Sequence, residues 1–107
     1  MSAYIIADVE VHDPVAYEPY RTMAAAAIAE HGGRYLARGG EVEVREGTWQ
    51  PRRTVILEFE SFAKAKAFYE SEEYAPALAL RKSIATTNLV IVDGYTAPQE
   101  TAVTPWP

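Results

Sequence analysis

Residues 4–14, YIIADVEVHDP, decide the fold. Ile5, Ala7, Val9 and Val11 fall on one side of an extended chain, and Tyr4, Ile6, Asp8 and Glu10 on the other. The spacing predicts a strand with one purely apolar face and one mixed face. Asp13-Pro14 then marks a helix start. An aspartate accepts hydrogen bonds from the free amides of the first turn, and proline suits the first helical position because its missing N–H is not needed there. The helix runs through Ala24 to Ala27, where helix propensity is highest, and stops at His31-Gly32-Gly33.

Working outward, Tyr35-Leu36-Ala37 opens a second strand that Gly39-Gly40 interrupts as a bulge or bend. Residues 41–46 (EVEVRE) alternate acid and valine and read as a half-exposed strand, followed by turn material at 47–51. Residues 53–59 (RTVILEF) form a third, more apolar strand. Ser61 caps a second helix, with Ala65, Phe68 and Tyr69 recurring at helical spacing. Residues 71–76 break it, and Pro76 opens a short helical segment that ends near Ile84. Residues 88–93 (NLVIVD) are the fourth strand, closed by Gly94.

The order βαββαβ predicts an α+β, ferredoxin-like antiparallel sheet with its helices on one face and strands one and three in the centre. The apolar sets, with Val55, Leu57 and Phe59, go under the helices. The mixed face, with Tyr4, Ile6, Asp8, Ile56 and Glu58, stays uncovered, and a second sheet is its simplest partner. A homodimer through that open face is therefore expected. Residues 1–95 form the domain, and 96–107 a proline-rich tail. Trp106, between two prolines, is expected to pin the tail onto the partner subunit.

Composition narrows the function classes. The chain has 15 acids against 10 bases, a net charge of −5, which works against nucleic-acid binding. The nearest thing to a basic run is Arg52-Arg53. Without cysteine there is no disulfide, zinc ribbon, iron–sulfur cluster or thiol catalysis. No apolar run approaches the ~20 residues of a membrane span, and the amino terminus carries no signal-peptide pattern, so no membrane partner and a cytoplasmic location are expected.

Several segments together resemble a known family: Tyr4 to Asp8 (YIIAD), Asp13-Pro14 with Tyr17 and Tyr20, His31 to Gly40 (HGGRYLARGG), Glu58-Phe59, and Tyr69 to Tyr74 followed by Leu78 and Arg81. The chain looks like a member of a family of short bacterial proteins known as a domain of unknown function, within the dimeric α+β barrel superfamily. The resemblance covers residues 3–95 and leaves out the tail. It implies a ferredoxin-like fold in which two sheets face each other across a dimer. Relatives in that superfamily include cofactor-independent quinol-oxidising monooxygenases, muconolactone isomerases, stress-responsive barrel proteins and haem-dependent enzymes. No catalytic residue carries over from the family itself.

The residues offer their own candidates. Tyr17, Tyr20, Ala24, Ala27, Ile28 and His31 share one helical stripe, so His31 is either a general acid or base at the end of an aromatic-walled pocket or an imidazole answering the helix dipole. Asp8 and Glu58 lie on the mixed face of neighbouring strands. If close together, one carboxyl would titrate high, as a general acid or base requires. Arg34 and Arg38, on one face with Leu36, could neutralise them or bind a carboxylate or enolate. An ionic cluster that only fixes dimer pairing is the competing reading. Tyr17, Tyr20, Tyr35, Tyr69 and Tyr74 suit either a small aromatic or polar ligand or plain core filling.

Other signals are weaker. Gly32-Gly33 with Gly39-Gly40 follow a helix and precede a strand, the reverse of a dinucleotide fingerprint, and no cofactor is expected. Glu10, His12 and Asp13 fit no standard metal site, and none is expected. Arg81-Lys82 read as partners of a helix dipole. The function expected is binding or transforming a small polar or aromatic metabolite between helices and sheet, by monooxygenase- or isomerase-like chemistry if there is turnover. The alternatives are a non-catalytic binding dimer or a purely structural dimerisation module.

Overall fold

Strand β1 (Ala3–Val11) is an inner strand of a four-stranded sheet, its residues alternately buried and half-buried. Helix α1 (Pro14–Glu30) follows, with the Asp13 carboxylate accepting from the Ala16 N–H at 3.1 Å. Then come β2 (Arg34–Arg38), β3 (Thr54–Phe59), α2 (Phe62–Tyr69), α3 (Ala75–Ile84) and β4 (Ala85–Asp93). Ser61 caps α2 through its hydroxyl, which accepts from the Lys64 N–H at 3.1 Å. The sheet order is β2-β3-β1-β4 with every neighbouring pair antiparallel, and the helices cover one face. This is the ferredoxin-like α+β arrangement expected from the sequence. The computed structural model describes residues 2–96. The tail beyond Thr96 and Trp106 lie outside the described residues.

The core lies between helices and sheet. Phe59 and Phe68 are its largest fully buried side chains, stacked with ring centroids 5.1 Å apart, and Tyr74 packs on Phe68 at 4.5 Å. Gly33 sits so close to the Phe59 ring that any Cβ there would overlap it. The glycine thus lets the turn after α1 press against the sheet.

Two expectations fail locally. Residues 41–46 are not a strand: their backbone runs without a ladder from Gly39 to Arg53. Alternation makes a segment competent for a strand, but a strand also needs an edge to pair with. Among the described residues none runs beside this one. β4, conversely, begins at Ala85 rather than 88, because Thr86 and Thr87 find partners opposite Glu10 and Val9 on β1.

A third departure bears directly on the site. Pairing between β2 and β3 shifts between Tyr35 and Ala37: Tyr35 faces Leu57, Ala37 faces Ile56 and Arg38 faces Val55. This bulge at Leu36 reverses the alternation. Arg38 therefore joins Tyr35 on the helix side, while Arg34, opposite Glu58, stays on the open face. The two arginines do not share a face.

Candidate functional site

Between α1, α3 and the sheet lies a cavity of about 40 Å³. α1 contributes Tyr17, Tyr20 and Arg21, and β2 contributes Tyr35 and Arg38. Arg53 just before β3, Tyr74, Arg81 of α3 and Thr87 of β4 complete the polar lining. Ile5, Ala7, Val9 and Leu57 form its apolar floor. Among the described residues no aspartate, glutamate or histidine lines it.

Arginine and tyrosine alternate around the wall. The Arg38 guanidinium lies 4.3 Å over the Tyr35 ring, Arg53 5.7 Å over Tyr17, and Arg81 5.9 Å over Tyr20. Each such pair contributes roughly 0.5–2 kcal/mol and tethers a cation without neutralising it. Arg81 is only 4% exposed. Burial alone would push its guanidinium down, but Tyr74 and Tyr20 beside it reverse the direction, so it stays charged. Gly39, at φ 71°, lies against the Arg53 guanidinium; a Cβ there would strike it.

The Tyr20 and Tyr74 hydroxyls hydrogen-bond at 2.7 Å. Burial first, then the neighbouring Tyr74, holds the Tyr20 hydroxyl far above the ordinary tyrosine value. Burial also raises Tyr35, against the opposing pull of Arg38. Tyr20 and Tyr35 are thus neutral at physiological pH, as donors or acceptors rather than bases.

The other sequence candidates are dispersed. His31 ends α1 but turns away from the cavity. Its Nε2 meets Glu73 Oε1 at 2.8 Å, and its ring stands edge-on to Phe68. Asp8 accepts from the Arg52 backbone N–H at 2.7 Å and so fastens the irregular 39–53 segment to β1. Glu58 stands opposite Tyr4, whereas Asp8 stands opposite Thr54. Four strand residues, ~13 Å, separate the two carboxylates. They are not a pair. Tyr69 faces a neighbouring groove, in which Arg81 and Thr87 also take part. His12 bonds Thr86 Oγ1 at 2.8 Å, and among the described residues no group of three or more His, Asp and Glu is placed to hold a metal. No described helix is long and apolar enough to cross a membrane.

Glu58 differs from the expected acid or base in sign. The Ser2 side chain, then Arg34 at 2.6 Å, hold its carboxyl below the ordinary glutamate value. A carboxyl with a depressed folded pKa adds stability above its unfolded pKa and loses it as pH falls through the folded value. Acid unfolding followed by circular dichroism should therefore show Glu58→Gln flattening the loss of stability below pH ~4.3. An unchanged acid limb would remove Glu58 from the residues that set it.

Two principal site residues escaped the sequence reading. Arg81 does not serve a helix dipole at the surface: it lies in phase with Tyr74 and Ala77 on the buried stripe of α3. Arg53 lies in phase with Val55, Leu57 and Phe59. A charge falling in the apolar phase was the available signal in both cases.

Fold and site together define a ferredoxin-like α+β protein with a cationic, tyrosine-walled cavity under its helices. Solved structures share the fold. A protein of unknown function from Rhodopseudomonas palustris aligns with a TM-score of 0.69 at 14% identity, covering 90% of this chain and 84% of that one. SnoaB, a cofactor-independent oxygenase from Streptomyces nogalater, aligns at 0.59 and 15%, covering 92% and 94%. A dimeric protein of unknown function and ferredoxin-like fold from Bacteroides fragilis NCTC 9343 aligns at 0.58 and 13%, covering 87% and 96%. No curated protein matches. The chain itself belongs to the family described as Domain of unknown function (DUF1330), whose model matches residues 2–95.

Proposed function

We propose that two copies of the chain pair through the open sheet face, and that each binds a small polar or aromatic metabolite in the cavity between helices and sheet. The observation that carries the binding reading is the convergence of Tyr17, Tyr20, Tyr74, Arg38, Arg53 and Arg81 on one cavity. Buried convergent polar groups with apolar surroundings are the usual chemistry of a small-molecule site. Pairing is supported by an apolar row across the open face, where Ile56, Ile6 and Val90 stand directly opposite one another. Leu36, Val90 and Val92 are exposed there, and the Bacteroides fragilis protein is described as dimeric.

Binding is favoured over acid–base turnover because the proton-handling candidates lie elsewhere. His31 is engaged by Glu73, Asp8 by the Arg52 amide and Glu58 by Arg34. Arg38, with Tyr17 and Tyr20, is assigned to the ligand. Arg34, tied to Glu58, is assigned to the dimer face, and Tyr69 to the adjoining groove. A screen of polar and aromatic metabolites by thermal shift tests the reading. A ligand at 100 times its Kd adds ~2.7 kcal/mol of stability. The shift is expected to survive His31→Ala and to shrink in Arg38→Ala. Product exceeding one equivalent per site would instead establish turnover, of the kind SnoaB's description suggests.

A further inference from the structure

We propose that the ligand of the cavity is a carboxylate with an apolar body, its head group held by Arg81 and Arg53. This rests on the binding reading above and narrows it to one chemical class.

The chain carries a net charge of −5, so a cation here has acids in plenty to pair with. Among the described residues Arg34 and Arg45 form ion pairs with Glu58 and Glu43, and Arg21 with Glu18. Among the described residues no acid pairs with Arg38, Arg53 or Arg81, the three arginines stacked around the cavity. The Nε atoms of Arg53 and Arg81 and the Thr87 hydroxyl are buried without a hydrogen-bond partner among the described residues. A guanidinium cannot shed its charge, and the tyrosines beside Arg81 hold it without neutralising it, so it keeps its capacity for an anion. The cavity holds unpaired cations and unused donors, with no carboxylate of its own among the described residues.

Size and surroundings select the anion. A void of about 40 Å³ admits a head group, not a whole metabolite. The body must lie outside it. Beside it runs a groove of about 420 Å³ walled by Tyr69, Lys82, Ala85, Leu89 and Ile91. Arg81 and Thr87 line both spaces, so two of the three unused donors stand on their common wall, while Arg53 faces the cavity alone. An apolar body fits that groove. A planar carboxylate fits the Nε edge of a guanidinium, which donates two parallel hydrogen bonds to its two oxygens. The neutral Tyr20 hydroxyl lies near the same guanidinium.

The test is isothermal titration calorimetry of the full chain with benzoate, its neutral isostere benzamide, and inorganic phosphate. Arg81→Met keeps the length of the side chain and removes its charge, and Arg53→Met serves as the second variant should the first fold poorly. Benzoate is expected to bind the parent at least tenfold more tightly than benzamide. Either variant should lose that preference. Equal binding of benzoate and benzamide would overturn the carboxylate assignment while leaving metabolite binding standing. So would binding of phosphate alone, or a metabolite from the thermal screen that carries no carboxylate. Unchanged benzoate affinity in both folded variants would overturn the arginine assignment. If no probe and no screened metabolite binds, both this inference and the binding reading fall together.

Discussion

Under the proposed pairing, Ile6→Lys is expected to yield a folded monomer. Ile6 is the middle of the apolar row, with Ile56 opposite on β3 and Val90 opposite on β4. On a single chain this face is open, so a lysine there reaches water and the monomer loses little. In a closed seam the same ammonium is buried without a partner, at ~3–5 kcal/mol. Every ~1.4 kcal/mol is tenfold, so association should weaken by a factor of ~100 or more. Sedimentation velocity reads the mass directly, and circular dichroism checks that the monomer is folded. Glu10→Lys, at the exposed end of the same strand face, is the control that should remain dimeric. A folded Ile6→Lys protein of unchanged mass would show that the copies meet elsewhere.

Phe68→Ala should be the most damaging single truncation in the core. Phe68 is fully buried and touches Phe59, Tyr74 and His31 through its ring. Removing a packed phenyl loses its transfer energy and leaves a void, together ~3–5 kcal/mol. A domain of this size has only ~5–15 kcal/mol in total. The melting temperature should fall by ~12 °C or more. Phe68 also lines the cavity, so the lost ring frees Tyr74 and, through it, the Tyr20 hydroxyl. Urea denaturation of parent and variant gives the energy. A loss below ~1 kcal/mol would mean that the surrounding side chains collapse into the space, and that the stacked rings are not what holds helices to sheet.

The fold was legible because its signals are local and agree with one another. The alternation from Tyr4 to Val11, the Asp13 cap with Pro14 and the Ser61 cap each need only a few neighbouring residues to act. The failures were all non-local. Residues 41–46 have the pattern of a strand, but among the described residues no strand pairs with them. Asp8 and Glu58 share a face, but only the register of β1 on β3 places them at opposite ends of it. Straight alternation through Leu36 puts Arg38 on the open face, and a bulge is invisible to counting. For the site, the tyrosines of α1 were legible from helical spacing. Arg53 and Arg81 were passed over because charge suggested solvent, although their phase in strand and helix pointed inward.

The bulge in β2 leaves one further consequence. Five residues carry two vocabularies: Arg34 is spelled for the outer surface and Arg38 for the interior, and the single unmatched Leu36 is the punctuation between them. What separates the two arginines is a matter of spacing rather than of chemistry. Because Ala37 and Arg38 are matched to Ile56 and Val55, deleting Leu36 would leave a regular ladder with Arg38 still on the helix side. A ladder that instead matched Leu36 in plain alternation would send Arg38 to the open face. What places the second guanidinium is one residue left out of the count.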